Sequence, residues 1–266
     1  MNDDTFPAAP DFDPFAAYYD LDPDLGGFSD DLALYREFAA RGDGPALELG
    51  CGTGRVLTAL AAAGRDVTGV DISPAMLAAA RERVARAGVG ARVTLVRDDI
   101  RRLDALGDAR FALAFSAINS FLHLETQADQ LAALAAVARH LTPGGLFVAD
   151  LFPPHPDALA EYDGRLVHAA TFADPRTGER IDKLVAGALD PAEQRIEATF
   201  FYDRLRADGA IARTAAPFAL RYIGRFELEL LLARAGFADG RLYGSYDLQP
   251  FTAASERLIA VAQRGS

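Results

Sequence analysis

An α/β fold, doubly wound on a seven-stranded, mostly parallel sheet and carrying an inserted antiparallel β cap, is what this sequence predicts. Three observations predict it. Short apolar strands alternate with amphipathic helices from residue 46 to residue 151, the pattern of a parallel sheet with helical crossovers. A glycine-rich turn, Gly50-Cys-Gly-Thr-Gly54, joins the first of these strands to its helix. Residues 165–222 then change to the two-residue alternation of antiparallel hairpins, as in Arg195-Ile-Glu-Ala-Thr-Phe-Phe-Tyr-Asp-Arg204.

Taken in order, residues 1–28 are rich in Pro, Asp and Phe and read as an irregular arm. Ser29 caps a helix over 29–40, and Gly42-Asp-Gly-Pro45 stops it. Strand 46–49, helix 55–63, strand 66–71 and helix 74–87 follow, then strands 93–96 and 111–117. The Ala/Leu-rich helix 127–141 is halted by Thr142-Pro-Gly-Gly145, and a fifth strand spans 146–151. Turn signals at Asp174-Pro175, Thr177-Gly178, Asp190-Pro191 and Asp208-Gly209 divide the insertion into hairpins. A helix over 224–235 ends at Gly236, and segments 241–246 and 257–262 complete the sheet as a hairpin. The expected units are an arm and helix (1–45), the core (46–151), the inserted cap (152–223) and the closing helix and hairpin (224–266).

Composition narrows the function. The chain has 27 basic against 38 acidic residues, a formal charge of −11, which repels phosphate backbones and anionic membrane surfaces. A small-molecule partner is expected, with no nucleic acid and no membrane; a homodimer stays open. Cys51 is the single cysteine, so an intrachain disulfide is excluded. His123, His140, His155 and His168 lack the spacing of a metal pair, and no metal is expected; His155 and His168 read as structural. The acidic start, Met1-Asn-Asp-Asp-Thr5, lacks a signal-peptide pattern, and no apolar run reaches about 18 residues. A cytoplasmic protein is expected.

The strongest motif is Ala46-Leu-Glu-Leu-Gly-Cys-Gly-Thr-Gly54 with Asp71 at the end of the next strand. Glycines let the main chain turn sharply and approach a ligand, while the amides of the new helix point at it. In a βαβ unit Asp71 falls beside that turn, where a carboxylate can accept from both hydroxyls of a ribose. The dinucleotide fingerprint places a third glycine where this chain has Arg55. Glu48, just before the first glycine, suits a cofactor bearing an ammonium and a sulfonium better than a pyrophosphate.

These residues resemble the first motif of Rossmann-like, class I S-adenosylmethionine-dependent methyltransferases of the small-molecule type. Val70-Asp-Ile-Ser-Pro-Ala-Met-Leu77 is similar to the family's second motif, Val96-Arg-Asp-Asp-Ile100 to its third, and Leu141-Thr-Pro-Gly-Gly-Leu-Phe-Val148 to its structural turn before the fifth strand. The resemblance implies S-adenosylmethionine as cofactor and S-adenosylhomocysteine as product. It assigns the cofactor to Glu48, Gly50, Cys51, Gly52, Gly54, Asp71, Ile72 and Met76. It adds Asp99 with Ile100 at the adenine, Asp98 being the alternative or else a helix cap, together with Ser116 at the end of the fourth strand. The Tyr-Asp segment Phe15-Ala-Ala-Tyr-Tyr-Asp20 resembles one that closes over the methionine end, assigning Tyr18 to the cofactor and Tyr19 to the acceptor side.

Methyl transfer from a sulfonium is an in-line displacement that rests largely on positioning, and no nucleophilic triad is needed. The acceptor is expected at the carboxyl end of the fourth strand, Phe115-Ser-Ala-Ile-Asn-Ser-Phe-Leu-His123. Asn119 is expected to accept and orient a hydroxyl or amine, and His123 to remove its proton near neutral pH; a cap and a packed histidine are the alternatives. Tyr202, Arg204, Arg221 and Tyr222 of the insertion are further candidates, with at most one of Arg221 and Tyr222 facing inward. The expected reaction is N- or O-methylation of a small metabolite. The alternatives are an NAD(P)-dependent oxidoreductase and a cofactor-binding relative without turnover.

Overall fold

The computed structural model describes residues 11–23, 25 and 28–265; the Met1–Pro10 stretch of the expected arm, with Asp24, Gly26, Gly27 and Ser266, lies outside them. In chain order the elements are α1 (Asp13–Ala16), α2 (Leu32–Ala40), β1 (Ala46–Leu49), α3 (Arg55–Ala62), β2 (Val67–Asp71), α4 (Pro74–Arg86), β3 (Val93–Arg97), β4 (Phe111–Ser116), α5 (Gln127–His140), β5 (Leu141–Leu151) and α6 (Pro156–Ala160). They continue as β6 (Val167–Ala173), β7 (Arg180–Asp190), β8 (Arg195–Leu205), β9 (Ile211–Arg221), α7 (Arg225–Arg234), β10 (Phe237–Tyr243) and β11 (Leu258–Arg264).

Seven strands form one sheet in the order β10-β11-β5-β4-β1-β2-β3. All neighbours from β5 to β3 run parallel, and β11 is antiparallel to both β5 and β10. The strand order reverses between β1 and β4, which opens a crevice above their carboxyl ends. Every residue of β1 is buried, as a strand covered by helices on both faces must be. Tyr35 and Phe38 of α2 pack on one face, and Phe121 and Phe147 fill the other. Gly69 in β2 permits this closeness, since a Cβ there would meet the Leu57 side chain at 2.5 Å and Cys51 Sγ at 2.9 Å.

The insertion is a separate antiparallel sheet in the order β6-β7-β8-β9, with β7, β8 and β9 paired along eleven residues each. The Asp190-Pro191 and Asp208-Gly209 signals fall in its two long hairpin turns, and Asp174 to Gly178 joins β6 to β7.

Four expectations change. The arm contains a short helix, α1, with Pro14 in its first turn. Helix α2 starts at Leu32 rather than at Ser29, and its preceding Asp31 makes no cap bond because both carboxylate oxygens hold Arg55 at 2.6 Å. The 142–145 turn belongs to β5, which meets β4 through an irregular register between Phe111 and Leu113. The closing hairpin begins at Phe237, because Gly236 (φ 91°) turns the chain directly out of α7. No helix among the described residues is long and apolar enough to cross a membrane.

Candidate functional site

After β1 the chain reverses through Gly50 (φ 64°), Gly52 (φ 52°) and Gly54 (φ 79°) into α3. A Cβ on Gly52 would meet nothing within 4 Å, so at that point the turn offers main chain to open space. Its N–H donates to Asp71 Oδ2 at 2.8 Å, and the Ser73 N–H donates to Asp71 Oδ1 at 2.9 Å. Ser73 in turn caps α4 by accepting from Met76 N–H at 3.0 Å. Burial raises the Asp71 carboxyl above its ordinary pKa, against the pull of the Ser73 and Gly52 amides. Each Asp71 oxygen uses one acceptor site inside the protein and keeps further capacity for a ligand.

A cavity of about 570 Å³ extends from this turn to the cap, within the range of about 300–1,000 Å³ usual for small-molecule sites. Gly50, Gly52, Asp71, Ile72, Met76, Asp98, Asp99 and Ile100 line it on the sheet side. Tyr19, Asn119 and His123 line it with the rings of Phe12 and Phe15 from the arm, Phe152, and Phe200 and Phe218 from the cap. The structure thus brings eleven of the sixteen expected site residues to one cavity.

The other five stand back from it. Glu48 is 3 % exposed and accepts from Leu57 N–H at 2.9 Å, so its carboxyl serves the first turn of α3 instead of the cavity. Burial, moderated by Arg55, pushes its pKa up to about 8. Cys51 is buried against β2, and Gly54 lies under Ala80, where a Cβ would come within 3.2 Å. Tyr18 stacks on Tyr202 at 4.3 Å and shares a hydrogen bond with Thr214 at 2.9 Å, which turns it to the cap. Ser116 is fully buried and its hydroxyl has no partner among the described residues.

The two aspartates after β3 differ in what they have left to offer. Asp99 receives the Arg101 N–H on Oδ1 and the Arg101 guanidinium on both oxygens at 2.6–3.0 Å. Desolvation would raise its pKa, but these bonds outweigh it and hold the carboxyl below its usual value. Asp98 accepts one amide per oxygen, from Asp99 and Ala105, each at 2.8 Å. Asp98 thus binds two main-chain amides without standing at the N-cap of a helix, and Asp98 rather than Asp99 retains acceptor capacity.

The turn after β4 carries the polar groups of the cap side. Ile118 (φ 39°) and Asn119 (φ 62°) both hold left-handed backbone, a conformation costing on the order of 1–3 kcal/mol per residue. Asn119 Oδ1 accepts from Phe152 N–H at 2.7 Å and from Arg257 Nη2 at 3.4 Å. The side chain was expected to accept from a substrate; with its oxygen taken by two donors, it has the NH2 group to give.

His123 Nδ1 donates to the Ala219 carbonyl at 3.0 Å, and its ring meets Phe12 edge-on at 4.8 Å. Burial lowers its pKa to about 4, partly countered by the Ala219 bond. The expected base near neutral pH is thus a neutral imidazole with an unprotonated Nε2. Tyr19 is pushed the other way, to about 12, by burial and by surrounding carboxylates, with Arg55 opposing.

None of the four candidates from the insertion lines the cavity. Tyr202 donates to Asp22 at 3.1 Å, and Arg204 pairs with Asp174 and Glu179 at 3.0 Å. Arg221 and Tyr222 are both buried away from the cavity, because α5 and α7 cover the end of β9 and supply Gln130 and Glu227 to Arg221. His155 bonds to the Ser255 carbonyl, 100 residues away in the chain, and His168 to nearby Thr171.

Sequence reasoning missed Phe12, Phe15, Phe200 and Phe218. The i, i+3 spacing of Phe12 and Phe15 was a usable signal, whereas the 4.7 Å contact of Phe200 with Phe218 depends on cross-strand register. It also missed Asp13 and Asp20, which tie the arm to Ser73 and Thr53 with 2.6 Å bonds.

Known proteins share this arrangement. Residues 46–145 match the model of a methyltransferase domain. The cypemycin N-terminal methyltransferase of Streptomyces sp is 31 % identical over 219 residues, 82 % of each chain. The CcbJ methyltransferase of Streptomyces caelestis superposes with a TM-score of 0.79 at 29 % identity, over 98 % of this chain and all of that one. An S-adenosylmethionine-bound amino pentose methyltransferase from Micromonospora echinaspora, involved in calicheamicin biosynthesis, gives 0.68 at 28 % identity, over 90 % and 92 % of the two chains.

Proposed function

The chain belongs to the Rossmann-like S-adenosylmethionine-dependent methyltransferases, and from that premise we propose that it methylates the nitrogen of a small amine bound in this cavity. Family membership removes the oxidoreductase alternative. The cofactor supplies an electrophilic methyl group on its sulfonium and leaves as S-adenosylhomocysteine. In this reading Asp71 takes the ribose hydroxyls, Gly50 and Gly52 admit the ligand close to the main chain, and Ile72, Met76 and Ile100 flank the adenosine. Asp98, with its spare acceptor capacity, takes the adenine amino group.

One observation carries the choice of nitrogen over oxygen. Of the side chains expected to act on the acceptor, the two that titrate do so away from neutrality, His123 at about 4 and Tyr19 at about 12. An alcohol needs a base of matched pKa to become a nucleophile, whereas a neutral amine already is one. The neutral His123 can accept an amine N–H through Nε2 and Asn119 can donate to a neighbouring oxygen, so the two orient the acceptor while the aromatic rings exclude water. Two of the similar proteins are named for acceptors that carry an amine, an N-terminus in one and an amino pentose in the other, which supports this reading. The acidic chain favours an acceptor that is not a nucleic acid.

The test is a screen of amino sugars and short peptide amines, each beside its hydroxyl counterpart, with S-adenosylhomocysteine release and product mass as readouts. Methylation at nitrogen is expected; turnover confined to the hydroxyl compounds would overturn the choice.

A further inference from the structure

Among the described residues, Ile118 and Asn119 are the only consecutive non-glycine pair with positive φ. Ile118 is β-branched, so this backbone is a genuine outlier that its surroundings must hold in place. Those surroundings are a buried polar network built from distant parts of the chain. Asp150 is 0 % exposed at the end of β5. Its main-chain carbonyl accepts from Asn119 N–H at 2.9 Å, and its carboxylate receives Ile118 N–H at 3.4 Å. The same carboxylate is gripped by Arg257 at 2.6–2.7 Å and by the Tyr246 hydroxyl at 3.0 Å. Arg257 also reaches Asn119 Oδ1, the atom that accepts from Phe152 N–H.

Asp150, Arg257 and Tyr246 do not line the cavity. A buried ion pair is poor evidence for stability, because desolvating both charges offsets most of their attraction. What this pair does have is a bond to each residue of the strained turn. We propose that Asp150, Arg257 and Tyr246 are positioning residues, which hold the Ile118–Asn119 turn so that Asn119 keeps its oxygen on Phe152 and its NH2 for the acceptor. The proposal rests on the cavity being the site of methyl transfer. It makes the hairpin between β10 and β11 part of the catalytic apparatus, although its role is exerted through Asn119.

Tyr246→Phe, Arg257→Lys and Asp150→Asn test it, measured by amide hydrogen exchange, S-adenosylhomocysteine affinity and turnover of the amine methylated fastest in the screen. Exchange at Asn119 and Phe152 should rise at least about ten-fold in Tyr246→Phe, while Ala260 in β11 keeps the parent rate. In the same variant kcat should fall about 10- to 100-fold, the scale of a small misplacement of reacting groups, with S-adenosylhomocysteine affinity within about two-fold of the parent. Arg257→Lys should recover part of the loss seen in Arg257→Met. Parent-like exchange and kcat in Tyr246→Phe would overturn the proposal, as would a kcat loss matched by an equal loss of cofactor affinity. If Asp150→Asn fails to fold, Tyr246→Phe decides. Should the parent methylate no amine, the functional reading fails, and the exchange measurements still decide whether the network holds the turn.

Discussion

His123 Nδ1 donates to the main-chain carbonyl of Ala219 at 3.0 Å, and this bond joins the turn after β4 to the last strand of the cap. A carbonyl cannot donate, so the bond fixes the tautomer and leaves Nε2 as a lone-pair acceptor. Burial among Phe12 and Phe218 keeps the ring neutral. In the proposed reading this gives the acceptor one fixed hydrogen-bond acceptor and, at Asn119, one fixed donor.

The first prediction concerns that ring. Its folded pKa, about 4, lies below the ordinary value of 6.5, so the neutral form is favoured by folding. The stability it contributes is present above about pH 6.5 and is lost as the pH falls towards 4. An NMR titration of the His123 ring should show no midpoint between pH 5.5 and about 8. A midpoint near 6.5 would return His123 to the role of a base.

Glu48 should behave in the opposite sense. Its folded pKa of about 8 lies above the ordinary 4.5, so its protonated form is favoured by folding. That contribution is complete below about pH 4.5 and is lost as the pH rises through 8. Glu48→Gln keeps an oxygen for Leu57 N–H and cannot ionise, so its Tm advantage over the parent should widen from pH 7 to 9. Parallel Tm curves for the two proteins would contradict this.

The adenine assignment separates two neighbours. Asp98→Asn should weaken S-adenosylhomocysteine binding about ten-fold, the scale of one lost charge-assisted hydrogen bond. Asp99→Asn should instead lower thermal stability, because Arg101 is 8 % exposed and would lose the charge of its carboxylate partner at 2.6 Å, keeping that of Asp129 at 3.2 Å. Calorimetric titration and melting curves read the two effects apart. Equal affinities in Asp98→Asn and the parent would remove the assignment.

Lys183 is the single lysine of the chain, 4 % exposed and 2.7 Å from the buried Asp22 of the arm. An amine-reactive reagent should leave it unmodified in the folded protein and label it on unfolding. Lys183→Met should destabilise the protein by about 3–5 kcal/mol, because it withdraws the ammonium from a carboxylate with no exposure. Rapid native labelling would show that the arm detaches from the cap.

Most of the sheet was legible because strand and helix patterns are local properties of the sequence. The 46–54 motif with Asp71 pointed to one end of the cavity, since a strand, a glycine turn and a carboxylate one crossover later leave few other arrangements. The functional sense of Asn119 was not legible. It depends on an amide 33 residues ahead and a guanidinium 138 residues ahead, and no local pattern reports which atom those donors take. Glu48 misled for a related reason: its position beside the glycines is that of a ligand, but its side chain turned to the unsatisfied Leu57 amide. Neither Arg221 nor Tyr222 reaches the cavity, because two helices close over the end of β9, a tertiary contact that strand alternation does not report.

The central claim is that one cavity brings the cofactor, held by Asp71, to an acceptor wall made by Asn119 and His123. The most direct measurement is a crystal structure with S-adenosylhomocysteine, paired with its affinity for the parent and for Asp71→Ala. The ribose hydroxyls should lie within hydrogen-bond distance of the Asp71 carboxylate, and the sulfur should open towards Asn119 and His123. Asp71→Ala should bind at least about 30-fold more weakly, the scale of two lost charge-assisted hydrogen bonds. A ribose away from Asp71, or unchanged affinity in Asp71→Ala, would contradict the account.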